Sequence, residues 1–117
     1  DVELDRLNQL GDGKVTQVHR AHDAIAGATA VHTDSWVPMG QEAQRDVRLR
    51  AFEGFTVDAA MMTAAAPGAG CYHCLPAHRG EEVTAEVIDG PSSYVFAQAH
   101  NRLNAALGAL AFLKGVR

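Results

Sequence analysis

The segment Cys71-Tyr72-His73-Cys74 places two thiols and an imidazole within four residues. Cysteines at this C-x-x-C spacing are typical of zinc sites and of thiol–disulfide exchange, so both chemistries are alternatives here. The surrounding residues 70–75 have the pattern of a short buried strand, in which residues three apart point to opposite faces. A structural zinc site also needs four ligands, and the sequence has no second pair of cysteines. The pattern therefore favours two cysteines that act separately.

The residues that follow Cys74 distinguish it from the other cysteine. Pro76 cannot donate a hydrogen bond to a strand ladder, and the bond between Leu75 and Pro76 can adopt the cis form, which would turn the Leu75 carbonyl outward. A thiol and an unpaired carbonyl at the end of a strand can together hold an amine. We therefore expect chemistry in residues 74–80, and also in residues 34–41, which follow another predicted strand.

Helical and strand patterns alternate along the chain. Strands are predicted over residues 14–18, 29–33 and 70–75, and helices over residues 2–10, 24–26, 41–53, 59–66 and 84–89 and from Pro91 to about Lys114. Asp23 and Asp58 have the positions of N-cap residues. Short apolar strands alternating with helices indicate an α/β fold, here a partial Rossmann-like parallel sheet with flanking helices and a long C-terminal helix. In such sheets ligands bind beyond the carboxyl ends of the strands.

Composition limits the possible partners. At 117 residues the chain is one domain at most. A formal net charge of -4 and ten scattered basic residues argue against a nucleic-acid surface. The chain opens without the pattern of a secretory leader, and its most apolar segment, residues 103–116, is too short to cross a bilayer. Two cysteines cannot staple a chain of this size, which indicates a reducing, cytoplasmic location. We expect no metal, cofactor or membrane partner.

Three motifs together resemble the ornithine carbamoyltransferase family. The tetrapeptide His73-Cys74-Leu75-Pro76, continued by residues 77–82 (Ala-His-Arg-Gly-Glu-Glu), is similar to one motif of that family. Residues 33–40, Thr-Asp-Ser-Trp-Val-Pro-Met-Gly, look like its ornithine loop, an Asp followed shortly by Ser-Met-Gly. Residues 101–103, Asn-Arg-Leu, are similar to its Glu-Asn-Arg. The motifs occur in the family's order and cover nearly the whole chain.

The resemblance implies ornithine-binding roles in the loop after the second predicted strand. Asp34 would pair with the cationic α-amino group of ornithine, and the main chain and side chain near Met39 would close over the amino acid. Pro38 stands where the family usually has Ser, which removes a hydroxyl and one main-chain donor from the ornithine-binding loop. Met39-Gly40 keeps the family pattern, which favours ornithine over a diamine such as putrescine. Without the resemblance, Asp34 would be interpreted as a turn or capping residue.

The resemblance also implies a reaction centre at Cys74 and the Leu75 carbonyl, beside the δ-amine of ornithine and the carbamoyl group of carbamoyl phosphate. An amine of this type has a pKa of about 10.4, so it must lose a proton before it can attack the carbamoyl carbon. A thiolate at Cys74 could accept that proton, and the Leu75 carbonyl could orient the amine. His73 is interpreted as a hydrogen-bonded core imidazole without a catalytic role.

Arg102 is expected to contact carbamoyl phosphate, because a guanidinium is a good partner for the charge that grows on the leaving phosphate. It lies at helical spacing from Val95, Ala99 and Ala106, so we predict it on an apolar face, where a charge needs an anion or a carboxylate. A plain salt bridge is the alternative. The helix departs from the family pattern at two positions, His100 and Asn104.

The family's Ser-Thr-Arg-Thr loop and His-Pro-x-Gln segment, which bind carbamoyl phosphate, do not occur in this sequence. The resemblance therefore implies that residues 1–117 are the C-terminal, ornithine-binding domain of a carbamoyltransferase without its carbamoyl phosphate domain. The implied partners are L-ornithine, carbamoyl phosphate and the N-terminal domain of the same enzyme, within a homotrimer or a multiple of it. Alone, the chain is expected to be inactive. The alternative function is a non-catalytic amino-acid-binding or interaction module derived from the family.

Overall fold

Two parallel strands form the sheet of the protein, whose computed structural model describes residues 2–116. Strand β1 (Ala30–Thr33) pairs with strand β2 (Gly70–His73), in a register that ends with Thr33 opposite His73. Each strand is anchored by one core residue, Val31 in β1 and Cys71 in β2, which face the short helices. The structure confirms the parallel α/β fold and two of the three predicted strands.

Main-chain bridges of single residues extend the sheet. Strand β2 is paired on its second edge, where Cys71 N donates to Ser92 O and Tyr94 N donates to Cys71 O, both at 2.8 Å. A separate parallel bridge joins Val57 to Val83. These bridges supply hydrogen-bond partners that a two-stranded sheet of four-residue strands would otherwise lack.

The strand predicted over residues 14–18 is wrong, since this segment is irregular and exposed. Its apolar residues Val15 and Val18 retain 42% and 40% of their accessible surface. No neighbouring strand is needed here, because the side chain of Asn8 forms hydrogen bonds with both the main-chain N–H and the main-chain carbonyl of Val15. Asn8 Oδ1 accepts from Val15 N at 2.6 Å, and Asn8 Nδ2 donates to Val15 O at 2.9 Å.

Short helices flank the sheet, and one long helix follows it. They are α1 (Val2–Leu7), α2 (Ala21–Ile25), a 3₁₀ helix (Glu42–Gln44), α3 (Arg45–Ala51), α4 (Ala59–Ala64), α5 (Ala85–Ile88) and α6 (Val95–Leu113). Asp58 caps α4 as predicted, because its Oδ1 accepts from Met61 N at 2.8 Å. The predicted cap at Asp23 is wrong, since this residue lies inside α2. The predicted helix start at Pro91 is also wrong, since α6 begins four residues later.

One hydrophobic core lies between the sheet and the short helices α2, α4 and α5. It consists of the buried residues Ile25, Val31, Val57, Met61, Ala65, Ala69, Cys71, Val83, Val87, Ile88 and Val95. Packing of these residues against β2 fixes the strand and therefore the position of the residues that follow it. The core ends at the start of α6.

Helix α6 has 19 residues, of which Val95 is the one that is buried. Large apolar side chains along the rest of the helix are exposed, namely Phe96, Leu103, Leu107, Leu110, Phe112 and Leu113. The helix therefore leaves the core after its first turns and carries apolar side chains on an uncovered surface. No helix within residues 2–116 combines the length and the apolarity needed to span a bilayer.

Candidate functional site

The carboxyl ends of β1 and β2 bring Asp34 and Cys74 into contact. Because Thr33 lies opposite His73, the next residue of each strand is also a neighbour of the other. The Cys74 thiol donates a hydrogen bond to Asp34 Oδ1 at 3.0 Å, and Ser35 N donates to the same oxygen at 2.7 Å. Two residues 40 positions apart thus form one polar centre at the edge of the sheet where ligands bind in this class of fold.

The two groups of this centre shift each other's pKa. The hydrogen bonds from the Cys74 thiol and from Ser35 N lower the pKa of the Asp34 carboxyl, so it is ionised near neutral pH. The hydrogen bond to that carboxylate raises the pKa of the Cys74 thiol, with burial and the negative charge acting in the same direction. Cys74 is therefore a protonated thiol in the free site. The thiolate invoked from the sequence is not the resting state.

The backbone after Cys74 turns sharply at Leu75. The Leu75–Pro76 bond is cis, as the sequence allowed, and Leu75 has a φ of 60°, in the left-handed region that few residues other than glycine adopt. Leu75 N donates to His73 Nδ1 at 2.8 Å. Within residues 2–116 the Leu75 carbonyl accepts no hydrogen bond. This carbonyl is therefore available to a donor from a ligand.

The predicted ornithine loop is anchored by two buried side chains, Trp36 and Val37. The ring of Trp36 stacks on that of Phe52 with centroids 5.5 Å apart. Pro38 and Met39 project beyond this anchor, and Met39 keeps 89% of its accessible surface. A cavity of about 220 Å³ separates the loop from the segment after β2, and its lining consists of Ser35, Val37, Pro38, Met39, Glu42, Arg45, Pro76 and His78. The structure therefore brings the two predicted segments together around one cavity.

Arg102 is exposed, which corrects the prediction that it lies on a buried apolar face. The reason is that α6 has already left the core at this residue. Arg102 forms no ion pair with any residue between positions 2 and 116, so the salt-bridge alternative is also wrong for this part of the chain. Its positive charge lies close enough to lower the pKa of the Cys74 thiol, in opposition to Asp34. Arg102 is thus a free guanidinium at the border of the polar centre.

Gln98 is a site residue that the sequence did not reveal. Its Oε1 accepts from His73 N at 3.0 Å, and its Nε2 lies 3.2 Å from His32 Nε2. One amide from α6 therefore contacts His32 of β1 and His73 of β2. The available signal was the spacing of Gln98 and Arg102, which are four residues apart and hence on one side of the helix.

The structure separates the two cysteines of the C-x-x-C segment. Cys71 is fully buried, and burial raises the pKa of its thiol. Cys74 instead shares a cluster with Asp34 and His73, whose possible ligand atoms lie within 4.8 Å of one another. In that cluster Asp34 Oδ1 and His73 Nδ1 already accept hydrogen bonds, so these groups are paired without an ion. The geometry therefore favours an amine-binding centre over a zinc or disulfide site.

Comparison with known proteins identifies similar chains. The family model described as the aspartate/ornithine carbamoyltransferase Asp/Orn binding domain matches residues 3–113. The ornithine carbamoyltransferase of Azoarcus sp. is 54% identical over 113 residues, which are 97% of this chain and 36% of that protein. The catabolic ornithine carbamoyltransferase of Halobacterium salinarum is 50% identical over 97 residues, which are 83% of this chain and 33% of that protein. The chain spans about a third of the length of the curated relatives it matches.

Solved structures give the same result. The anabolic ornithine carbamoyltransferase of Campylobacter jejuni superposes with a TM-score of 0.88 at 32% identity, over 97% of this chain and 37% of that chain. The ornithine carbamoyltransferase of Pyrococcus furiosus superposes with a TM-score of 0.78 at 44% identity, over 86% of this chain and 32% of that chain. Both relatives contain the arrangement of strands and helices described above.

Proposed function

Since the chain belongs to the aspartate/ornithine carbamoyltransferase family and corresponds to its Asp/Orn-binding domain, we propose that it forms the ornithine-binding half of an active site. The reaction transfers the carbamoyl group of carbamoyl phosphate to the δ-amine of L-ornithine and yields L-citrulline and phosphate. The observation that carries this proposal is the contact of Asp34 with Cys74 beside the unpaired Leu75 carbonyl. These groups are an anion, a thiol and an acceptor, and together they suit a substrate with two amines.

Charge favours ornithine over aspartate as the amino acid that binds. The Asp34 carboxylate is ionised near neutral pH, because its hydrogen bonds lower its pKa. It attracts the α-ammonium group of ornithine, whereas the second carboxylate of aspartate would be repelled by the same charge. Asp34 Oδ1 holds both of its hydrogen bonds, which leaves Oδ2 to the substrate. The cavity between Met39 and Pro76 provides space for the remainder of the amino acid.

Binding of the α-ammonium group would also change the state of Cys74. An ammonium on Asp34 neutralises the charge that raises the pKa of the thiol, and the nearby Arg102 lowers the same pKa. Cys74 can then release its proton to solvent, and the resulting thiolate accepts a proton from the δ-ammonium group, which becomes a nucleophilic amine. The amine nitrogen forms a bond to the carbamoyl carbon, the carbon–oxygen bond to phosphate breaks, and the phosphate leaves with that electron pair. The proton that the nitrogen must still lose to give neutral citrulline passes to the departing phosphate. The Leu75 carbonyl accepts a hydrogen bond from the amine and orients it.

Arg102 and α6 connect this half-site to the rest of the enzyme. Arg102 is exposed and unpaired among the described residues, so it is free to bind the phosphate of the second substrate. The exposed apolar residues of α6, including Leu103, Leu107 and Leu110, form a surface suited to the N-terminal domain of the same enzyme. We propose that the complete protein is a homotrimer or a multiple of it. The free thiols of Cys71 and Cys74 support a reducing, cytoplasmic location.

Titration of the 117-residue chain with amino acids tests the binding half of the proposal. L-Ornithine should shift the amide NMR signals of residues 34–40 and 74–76, and L-aspartate should leave them in place. Asp34→Asn should weaken ornithine binding by about tenfold or more, because a hydrogen bond to a charged group is lost. The matched control is Asp89→Asn, which removes an exposed carboxylate that pairs with Arg79. Equal binding of ornithine and aspartate would refute the assignment.

Catalysis is tested with a chimera. In this chimera, residues 1–117 replace the matching segment of the ornithine carbamoyltransferase of Azoarcus sp.. We expect this chimera to form citrulline from ornithine and carbamoyl phosphate. A chimera that folds and binds carbamoyl phosphate but forms no citrulline would favour the non-catalytic amino-acid-binding module instead.

A further inference from the structure

Glu82 is a fully buried carboxylate beside the candidate site. Within the part of the chain from residue 2 to residue 116, it pairs with neither a lysine nor an arginine. Its ion-pair contacts are with two histidines, and the Glu81 carboxylate also lies within 4.8 Å. Its Oε1 accepts from His78 N at 2.5 Å and lies 3.3 Å from His73 Nε2. A buried carboxylate is costly unless hydrogen bonds satisfy it, so this placement needs a reason. The two contacts lie immediately before and after residues 74–77.

The hydrogen bonds of His73 determine where its proton is. His73 Nδ1 accepts from Leu75 N at 2.8 Å, so this nitrogen carries no proton. The proton of the neutral ring is therefore on Nε2, which faces Glu82. His73 Nε2 and Glu82 Oε1 are 3.3 Å apart and interact electrostatically, without the angle of a well-aligned hydrogen bond. His73 Nε2 has no other partner among residues 2–116. Glu82 is thus the group that favours this tautomer.

This tautomer matters because of the conformation of Leu75. A leucine with a φ of 60° is disfavoured, and it persists only where surrounding contacts impose it. The hydrogen bond from Leu75 N to His73 is one such contact, and it sets the peptide plane between Cys74 and Leu75. If His73 carried its proton on Nδ1, this nitrogen could not accept, and Leu75 N would lose its partner.

We propose that Glu82 is a positioning residue: through the neutral imidazole of His73 and the main chain of His78, it holds both ends of the loop that presents Cys74 and the Leu75 carbonyl. The effect on catalysis rests on the function proposed above. The chain of contacts from Glu82 through His73 to Leu75 does not rest on that function, and it can be measured without a substrate.

These contacts are tested on the 117-residue chain by NMR of the imidazole nitrogens and of the Leu75 amide. In the unmodified chain we expect His73 to carry its proton on Nε2. Glu82→Met, which is similar in size but has no acceptor, should increase Leu75 amide exchange by about tenfold or more, an amount that corresponds to one lost hydrogen bond. Glu82→Gln, which keeps an acceptor, should keep the rate within about threefold of the original. The control is Glu81→Met, which removes the adjacent carboxylate that pairs with Arg45.

Two results would overturn the proposal. One is a His73 proton on Nδ1 in the unmodified chain, a measurement that remains decisive if Glu82→Met does not fold. The other is a folded Glu82→Met chain whose Leu75 exchange rate equals that of Glu81→Met.

The consequence for catalysis is measured in the chimera. Glu82→Met should lower kcat for citrulline formation by about tenfold or more, because the reaction centre is displaced. KM for ornithine should stay within about threefold, because Asp34 is unchanged. Glu82→Gln should restore most of kcat. Loss through KM alone would assign Glu82 to ornithine binding and would contradict the positioning role. An unmodified chimera without activity would count against the proposed function. The NMR measurements on the 117-residue chain would still test whether Glu82 positions His73 and Leu75.

Discussion

Asp34→Asn should release Cys74 from the carboxylate that keeps it protonated. In the unmodified chain the Cys74 thiol donates to Asp34 Oδ1 at 3.0 Å, and this contact is the largest of the causes that raise its pKa. Asparagine keeps an oxygen of similar size but removes the negative charge. The pKa of Cys74 should therefore fall, and a larger fraction of Cys74 should be thiolate at any pH below that pKa.

The size of this change follows from the exposure of the two groups. Asp34 is exposed and Cys74 is half-buried, so water screens the interaction. Exposed charge interactions typically contribute about 0.2–1 kcal/mol, and 1.4 kcal/mol corresponds to about a tenfold change in an equilibrium. We therefore expect the thiolate fraction to increase by about 1.5-fold to fivefold. Arg102, which lowers the same pKa, is present in both proteins and therefore does not contribute to the difference.

The assay is the ultraviolet absorbance of the thiolate, followed as the pH is raised. Cys71→Ala is introduced in all proteins, so that Cys74 is the single thiol, and Cys74→Ala in that background supplies the baseline for tyrosine ionisation. The titration of Asp34→Asn should begin at lower pH than that of the chain with Asp34. The reverse order, or coincident curves, would mean that Cys74 does not donate to Asp34. The proposed control of the Cys74 pKa by Asp34 would then be refuted.

Three further substitutions test other parts of the argument. In the chimera, Cys74→Ala should reduce the rate of citrulline formation by about a hundredfold without a change in circular dichroism, since general base contributions are of this size. Unchanged turnover would mean that Cys74 has no role in proton transfer. Arg102→Ala should weaken carbamoyl phosphate binding by about tenfold to a hundredfold in the chimera, as expected for a lost charge-assisted contact, and an affinity within about twofold would refute the phosphate contact. Asp58→Ala should destabilise the 117-residue chain by about 1 kcal/mol in urea unfolding, because α4 loses its N-cap; an unchanged midpoint would show that the cap contributes nothing.

The sequence predicted the sheet where local pattern and packing agree. Strands β1 and β2 each contribute one residue to the core, Val31 and Cys71, and both strands were predicted within one or two residues at each end. Residues 14–18 also combine apolar and polar residues, but this pattern does not reveal whether a partner strand exists. In the structure the side chain of Asn8 takes the place of that partner. Strand pairing depends on residues distant in sequence, and a local pattern does not contain it.

The same limit applies to the site. The rule that ligands bind at the carboxyl ends of parallel strands placed Asp34 and Cys74 in the right region, but only the register shows that they touch. Gln98 and Glu82 were missed because a polar residue beside apolar ones usually faces solvent. Arg102 was misplaced for the opposite reason, since helical periodicity cannot show where a long helix leaves its core.

The parallel register of β1 and β2 makes this domain sensitive to insertions and deletions within the strands. The loop that connects the strands tolerates such changes. Deleting a single residue inside β1 would move Asp34 one step along its neighbour and turn alternate side chains to the opposite face. The connection between the strands, by contrast, passes through exposed turns such as that at Gly54. Doubling the length of such a loop costs only about 0.6 kcal/mol of closure entropy. Insertions for labels or fused domains therefore belong near Gly54, and natural variation in length should accumulate there rather than in the four residues before Asp34.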